Sequence, residues 1–249
     1  MMAIAAARTL ENGRSVLVGT GLPMIAAILA QRIHAPNLLI AFEAGGIGPV
    51  LPTLPLSVGD SRTFHRAILA GTMCDVMEAA QSGYLDYGFL GGAQIDPYGN
   101  LNSTCIGPHA KPKVSLPGSG GGNDVGSLCW RTIIIMSHEK RRFVDRVDFI
   151  TTPGYLDGPG SREAAGLPRG SGPYRVITDL AVLGFEENSK RMMLLSTYPG
   201  VTVEQVMQNT GFELKVSAKV GAVEPPTREQ LRLLREEVDP TGIFVKRKR

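Results

Sequence analysis

A strand, a helix and a second strand, joined by very short connections, constrain this chain more than any other feature. Ser15 to Gly19 (Ser-Val-Leu-Val-Gly) reads as a buried strand, and Pro23 opens a helix through about His34, with Ile25, Ile28, Leu29 and Ile33 at helical spacing. Leu38 to Phe42 is then a second strand. The crossover of such a βαβ unit makes its two strands parallel. Parallel strands are covered on both faces, so the expected fold is α/β: a three-layer α/β/α arrangement around a mostly parallel open sheet, ending in a hairpin and helices. The 249 residues fit a single domain, 1–249.

Further along, Asp60 to Gly83 carries a helical pattern through Phe64, Ile68, Met73, Val76, Met77 and Ala80. Tyr87 to Leu90 is a short strand running into Gly91-Gly92, Asp96 to Asn100 is a turn, and the chain returns through Leu101 to Thr104. Asn123 is placed to cap a short helix to about Cys129, and Thr132 to Met136 is a β-branched strand. Thr151 to Pro173, rich in Gly and Pro, reads as a long loop. Tyr174 to Phe185 and Arg191 to Thr197 then form an antiparallel hairpin at the sheet edge, followed by helices over Thr202–Asn209 and Thr227–Val238.

Composition excludes several function classes. With 26 basic and 23 acidic residues the formal charge is +3, too mild and dispersed for a nucleic-acid partner. The one basic block, Lys246 to Arg249, reads as a solvated terminus. Cys74, Cys105 and Cys129 form no CxxC pair and have no histidine at ligand spacing, so no metal site and no disulfide framework are expected. No stretch approaches a membrane span, and the start of the chain lacks the basic flank of a signal peptide, so a cytoplasmic protein is expected.

Glu43 is the leading candidate for chemistry. It stands where the apolar run Leu38–Phe42 ends and the pair Gly45-Gly46 begins, at the strand exit where open α/β sheets keep their sites. Gly19-Thr20-Gly21-Leu22-Pro23-Met24 imitates a dinucleotide-binding turn, but Met24 replaces the third glycine and Pro23 removes an N–H donor, so a structural turn is expected there. Glu11-Asn12-Gly13 precedes the first strand, at the amino end of the sheet, and reads as a solvated turn. His34, His65, His109 and His138 are scattered without a carboxylate at useful spacing, which leaves a nucleophilic triad unsupported; His109, beside the glycine cluster at 118–122, is the one to watch.

Longer motifs carry a family resemblance. The stretch from Gly91 to Thr104 (Gly-Gly-Ala-Gln-Ile-Asp-Pro-Tyr-Gly-Asn-Leu-Asn-Ser-Thr), Gly118-Ser-Gly-Gly121, His138 to Phe143 and Asp157-Gly-Pro-Gly160 together resemble the beta subunit of family I CoA-transferases of the glutaconate type. The likeness runs from the first helix to Arg235–Pro240. It implies that Glu43, in Glu43-Ala44-Gly45, is the catalytic nucleophile of a ping-pong reaction, although the family's more general Ser-Glu-Asn-Gly context is not kept. The resemblance further implies oxyanion donors at Gly121 and Gly122, with Gly91, Gly92 and Gln94 bordering CoA or substrate. Coenzyme A is then a co-substrate rather than a resident cofactor, and an alpha subunit completes the active site. Arg162 and Arg169 in the long loop are candidates for a carboxylate clamp or lid. A hydrolase of acyl-CoA or of a ring on the same scaffold is the alternative reading, and a non-catalytic subunit that only shapes its partner's site is a third.

Overall fold

The computed structural model describes residues 1–245, so the basic run 246–249 lies outside the described residues. In chain order the helices are α1 (Met2–Ala7), α2 (Leu22–Ile33), α3 (Met73–Gln81), α4 (Gly122–Leu128), α5 (Ser161–Ala164), α6 (Val203–Gln208) and α7 (Arg228–Arg232). The strands are β1 (Ser15–Val18), β2 (Leu39–Phe42), β3 (Gly46–Ile47), β4 (Leu69–Ala70), β5 (Tyr87–Leu90), β6 (Gln94–Ile95), β7 (Leu101–Asn102), β8 (Cys105–Ile106), β9 (Val114–Ser115), β10 (Arg131–Ile135), β11 (Gly172–Ile177), β12 (Ala181–Phe185), β13 (Met192–Thr197) and β14 (Lys215–Ala222). The fold is α/β, as expected: β1 pairs in parallel with β2 and β5, β10 with β11, and β13 with β14, and antiparallel strands extend these pairs. The chain gathers into two compact units, Met1–Phe89 with the chain from Pro225 on, and Leu90–Glu224.

In the first unit the βαβ unit forms as its pattern requires. β1 is buried along its whole length, and α2 covers it with Met24, Ile25, Ala26, Ala27, Leu29 and Ala30, all fully enclosed. Each large apolar side chain taken out of water in this way contributes about 1.5–3 kcal/mol before entropy is counted. The apolar start of the chain, Ala3 to Ala7, is a helix that buries itself against α2. The strand order β4-β3-β2-β1-β5 places the hairpin of β3 and β4 outside β2.

That hairpin replaces the front of the long helix expected over Asp60–Gly83. Asp60 accepts from the backbone N–H of Arg62 at 3.0 Å and caps a single 3-10 turn, Ser61–Phe64. Arg66 then turns the chain with φ 52°, β4 follows, and only at Thr72 does a capping box with Asp75 start α3. Local side-chain caps won over a run of apolar residues that merely matched the helical period.

The second unit centres on Ile134, Val176, Leu183, Leu194, Phe143 and Val206. The stretch Tyr174–Phe185 is two strands rather than one, because Thr178 Oγ1 accepts from the N–H groups of Leu180 and Ala181 and folds a tight turn between β11 and β12. β12 and β13 form the expected hairpin, but it is not the edge: β14 pairs in parallel outside β13. Lys215–Ala222 is exposed, but it alternates Lys, Ser and Gly with Val and Ala at the strand period, a signal that the expected hairpin leaves out. Thr202 caps α6, and Thr227 caps α7 in a box with Gln230. Asn123 does not cap α4; Gly121 holds the cap position, and Asn123 Nδ2 donates to the Thr151 carbonyl at 3.2 Å.

Two buried titratable groups in this unit pull in opposite directions. His138 stacks on Phe143 with ring centroids 4.0 Å apart, and burial lowers its pKa to about 4 from 6.5. Asp96, enclosed in the Asp96–Asn100 turn, is pushed up by burial to about 6 from 3.8. The folded state disfavours His138 protonation, so its contribution is complete above pH 6.5 and is lost as pH falls towards 4. The Asp96 contribution is complete below 3.8 and is lost as pH rises through 6. An Asp96→Asn variant removes the second effect and leaves the first, so its melting temperature falls more steeply than that of the parent between pH 6.5 and 4. Circular-dichroism melts across that range check this; parallel slopes would refute the offset.

Candidate active site

β2 ends on the buried Phe42, and Glu43-Ala44 make the turn into β3, leaving Glu43 half-buried at the carboxyl end of the strand. The turn closes with Gly45 N–H donating to the Phe42 carbonyl at 3.0 Å. Behind it two stretches of backbone nearly touch. Gly45 has φ 122°, and a Cβ there would lie 2.2 Å from the Gly71 carbonyl oxygen; a Cβ on Gly46 would lie 2.0 Å from that of Thr63. Gly71 N–H donates to the Gly45 carbonyl at 3.0 Å, and Thr63 is held from behind by a bond from its hydroxyl to the Asp60 carbonyl at 2.7 Å. Glu43 is thus presented on a turn fixed by hydrogen bonds and backbone contact, and among the described residues its carboxylate is engaged by no hydrogen bond or ion pair. A carboxylate held in this way suits nucleophilic chemistry.

The other lures behave as structural elements. Met24 is fully buried where the dinucleotide fingerprint needs glycine, and Gly21 serves as the N-cap of α2. Glu11 is exposed and pairs with Arg14 at 3.4 Å. His109 stacks on Phe149 at 5.0 Å.

The remaining predicted site residues belong to the second unit. Gly91 is exposed and Gly92 half-buried at the exit of β5. Gln94 is buried, and both ends of its amide are in use: Nε2 donates to Asp148 Oδ2 at 3.0 Å, while Oε1 accepts from Asn102 Nδ2 at 2.7 Å and from the Asp148 N–H at 3.0 Å. The side chain therefore braces the turn. Gly121 and Gly122 open α4. The Gly122 N–H already donates to the Ser119 carbonyl at 2.9 Å, whereas the Gly121 N–H has no partner among the described residues. Arg162 is no clamp: it is buried and bonded to carbonyls of its own unit, while Arg169 is exposed. Sequence reasoning also missed Gly71, Thr63 and the Thr72–Asp75 cap; the Thr-x-x-Asp spacing was the available signal. Among the described residues no three His, Cys, Asp or Glu side chains gather to hold a metal, and no helix is long and apolar enough to cross a membrane.

A strand-exit glutamate on an α/β scaffold is compatible with acyl-transfer chemistry, and the coenzyme A transferase family profile matches residues 1–209. The chain belongs to that family. Within it the chain is 43% identical to the B subunit of glutaconate CoA-transferase from Acidaminococcus fermentans, over 98% of this chain and 93% of that one. It is 41% identical to the B subunit of 3-oxoadipate CoA-transferase from Pseudomonas knackmussii, covering 94% and 90%. The crystal structure of the Acidaminococcus fermentans glutaconate enzyme superposes with a TM-score of 0.94 at 42% identity, covering 100% of this chain and 96% of that one. The ring-cleaving hydrolase IpdAB of Rhodococcus jostii is more distant, with a TM-score of 0.78 at 29% identity, covering 98% and 94%. The chain is accordingly a CoA-transferase subunit of the glutaconate type.

Gly45→Ala tests how the turn holds Glu43. The added methyl meets carbonyl backbone that cannot step aside, so the variant is destabilised by about 1–3 kcal/mol and its transferase activity falls with the displaced carboxylate. Urea melts and initial rates read the two effects separately; a variant with parental stability and rate would show that the contact is not a constraint.

Proposed function

We propose that the protein is the beta subunit of a transferase that moves CoA from an acyl-CoA donor to a short carboxylic acid, dicarboxylic acids among them, through a thioester on Glu43. The observation that carries the reading is Glu43 itself, at the exit of β2 on a turn that admits only glycine behind it, in a chain of this family. Its relatives are each one subunit of a larger enzyme, which speaks for a companion alpha subunit, and the whole chain serves the one activity.

In the proposed cycle a Glu43 carboxylate oxygen attacks the donor thioester carbonyl, and collapse of the adduct releases CoA thiolate and leaves a mixed anhydride. The thiolate attacks the glutamyl carbonyl and expels the donor acid as its carboxylate. Glu43 now carries CoA as a thioester. The acceptor carboxylate reverses both steps, taking the acyl position in a new anhydride and then receiving the thiolate. Only a carboxylate can serve as nucleophile first and then, as the acyl part of a thioester, carry CoA. Each addition places negative charge on a carbonyl oxygen, and a preorganised N–H aimed at it is worth on the order of 3 kcal/mol. The Gly121 N–H is assigned that task, with Gly122 beside it, and Gly91 and Gly92 border the thioester arm. Water must be kept from both activated intermediates.

The test uses the αβ complex. Incubation with acyl-CoA followed by borohydride reduces a glutamyl thioester to an alcohol, which peptide mass spectrometry locates at Glu43. Glu43→Gln keeps the shape, abolishes trapping and lowers transfer by several orders of magnitude. Parental transfer in that variant would eliminate the covalent route, and acyl-CoA turnover to water alone, unaffected by an added acid, would favour the hydrolase reading that the likeness to ring-cleaving hydrolase subunits keeps in view.

A further inference from the structure

Arg162 is 1% exposed, the largest of the fully buried side chains, and among the described residues it pairs with no carboxylate. Its Nε donates to Ser171 Oγ at 3.1 Å, Nη1 to the carbonyls of Pro153 at 3.1 Å and Gly154 at 3.0 Å, and Nη2 to those of Gly126 at 2.6 Å and Ser127 at 3.3 Å. Burial draws its pKa down, yet a guanidinium stays charged in proteins. Gly126 and Ser127 lie in the last turn of α4, where carbonyls lack helical partners, and a cation there satisfies them and opposes the negative end of the helix. One side chain therefore ties the end of α4, the strap Thr151–Gly154 and the entry to β11 together.

The strap also presses along α4. A Cβ on Gly126 would lie 2.2 Å from Thr152 Cγ2, the Cβ position of Gly122 lies 3.4 Å from Thr152 Oγ1, and Asn123 bonds the Thr151 carbonyl. The strap in turn pairs with β7: Leu101 N–H donates to the Thr152 carbonyl at 3.0 Å, and the Leu101 carbonyl accepts from Thr151 at 2.9 Å and from Thr152 at 3.1 Å. Along α4, the bonds of Arg162 fix the position of the helix on this strap, and hence of the glycine segment that leads into it.

We propose that Arg162 is a positioning residue for CoA transfer, holding α4 on the Thr151–Gly154 strap so that the Gly121 N–H stands where an oxyanion forms. The proposal rests on the reading of Gly121 as an oxyanion donor. It is tested in the αβ complex with two variants that disturb α4 by unrelated routes. Arg162→Lys replaces the planar fork with a single point donor. Gly126→Ala leaves Arg162 intact and drives a methyl into Thr152, and the double variant with Thr152→Ser removes the methyl it strikes.

In both single variants kcat falls on the order of 10²-fold with the KM for acyl-CoA unchanged, amide exchange of residues 122–128 speeds up, and Thr152→Ser restores the rate to Gly126→Ala. Unchanged exchange in α4 in folded, assembled variants would overturn the positioning role itself. Faster exchange with a parental kcat would overturn the proposal from the other side, by removing the oxyanion assignment beneath it. Should Arg162→Lys fail to assemble, Ser171→Ala, which removes the acceptor of Arg162 Nε, takes its place: faster α4 exchange with a lowered kcat supports the proposal, and parental exchange overturns it.

Discussion

Two backbones in contact leave no room for a β-carbon, and this constraint governs how the molecule is put together around its candidate site. Gly45 on Gly71 and Gly46 on Thr63 set the turn that carries Glu43. In the second unit a Cβ on Gly154 would fall 2.4 Å from the Tyr98 carbonyl oxygen. Contacts made by peptide units, unlike those of side chains, do not relax by changing rotamer. They fix the relative placement of segments far apart in sequence more firmly than apolar packing does, because packing tolerates volume-conserving exchange.

Three buried polar groups of the second unit are satisfied by its own backbone or by short side chains, whereas the hydroxyls of Thr132 and Tyr198 are buried without a partner among the described residues. Arg162 is satisfied by carbonyls and one hydroxyl, His138 lies between the hydroxyls of Thr178 and Thr210, and Asp96 accepts from the N–H groups of Tyr98 and Asn100. A network of this kind stabilises only in one arrangement, since any shift strands a buried donor or acceptor at a cost of about 1–3 kcal/mol each. It therefore makes irregular chain, the Gly- and Pro-rich stretch from Thr151 on, behave as a defined part of the structure.

What could be read from the sequence follows the same physics. The βαβ unit, the glutamate at its exit and the β-branched strand at Thr132 carried strong local signals, because apolar period and turn residues agree there. Residues 60–72 were misread as helix because the apolar period survives in a segment whose course is decided by Asp60, Arg66 and the backbone of Gly45, none of which a period reports. β14 carries a strand signal only in its alternation of Lys, Ser and Gly with Val and Ala, because its exposure leaves no apolar run to mark it. Arg162 read as a loop cation, since nothing in a single sequence tells a solvated guanidinium from one enclosed by carbonyls. The difference between Gly121 and Gly122 was likewise out of reach, because it depends on a single bond to Ser119.

The segment between β3 and the 3-10 turn has a different standing from its neighbours. Both of its ends are clamped, at Gly46 and at Thr63, while Val50 to Gly59 between them is largely exposed and tied down chiefly by Val50 to His65 and Leu56 to Asp60. Lengthening a loop whose ends are already pinned costs only about 0.6 kcal/mol for each doubling. This stretch can therefore drift in length and composition across evolution without moving the carboxylate at Glu43, and a recombined or domain-inserted version of the chain has its natural point of entry there.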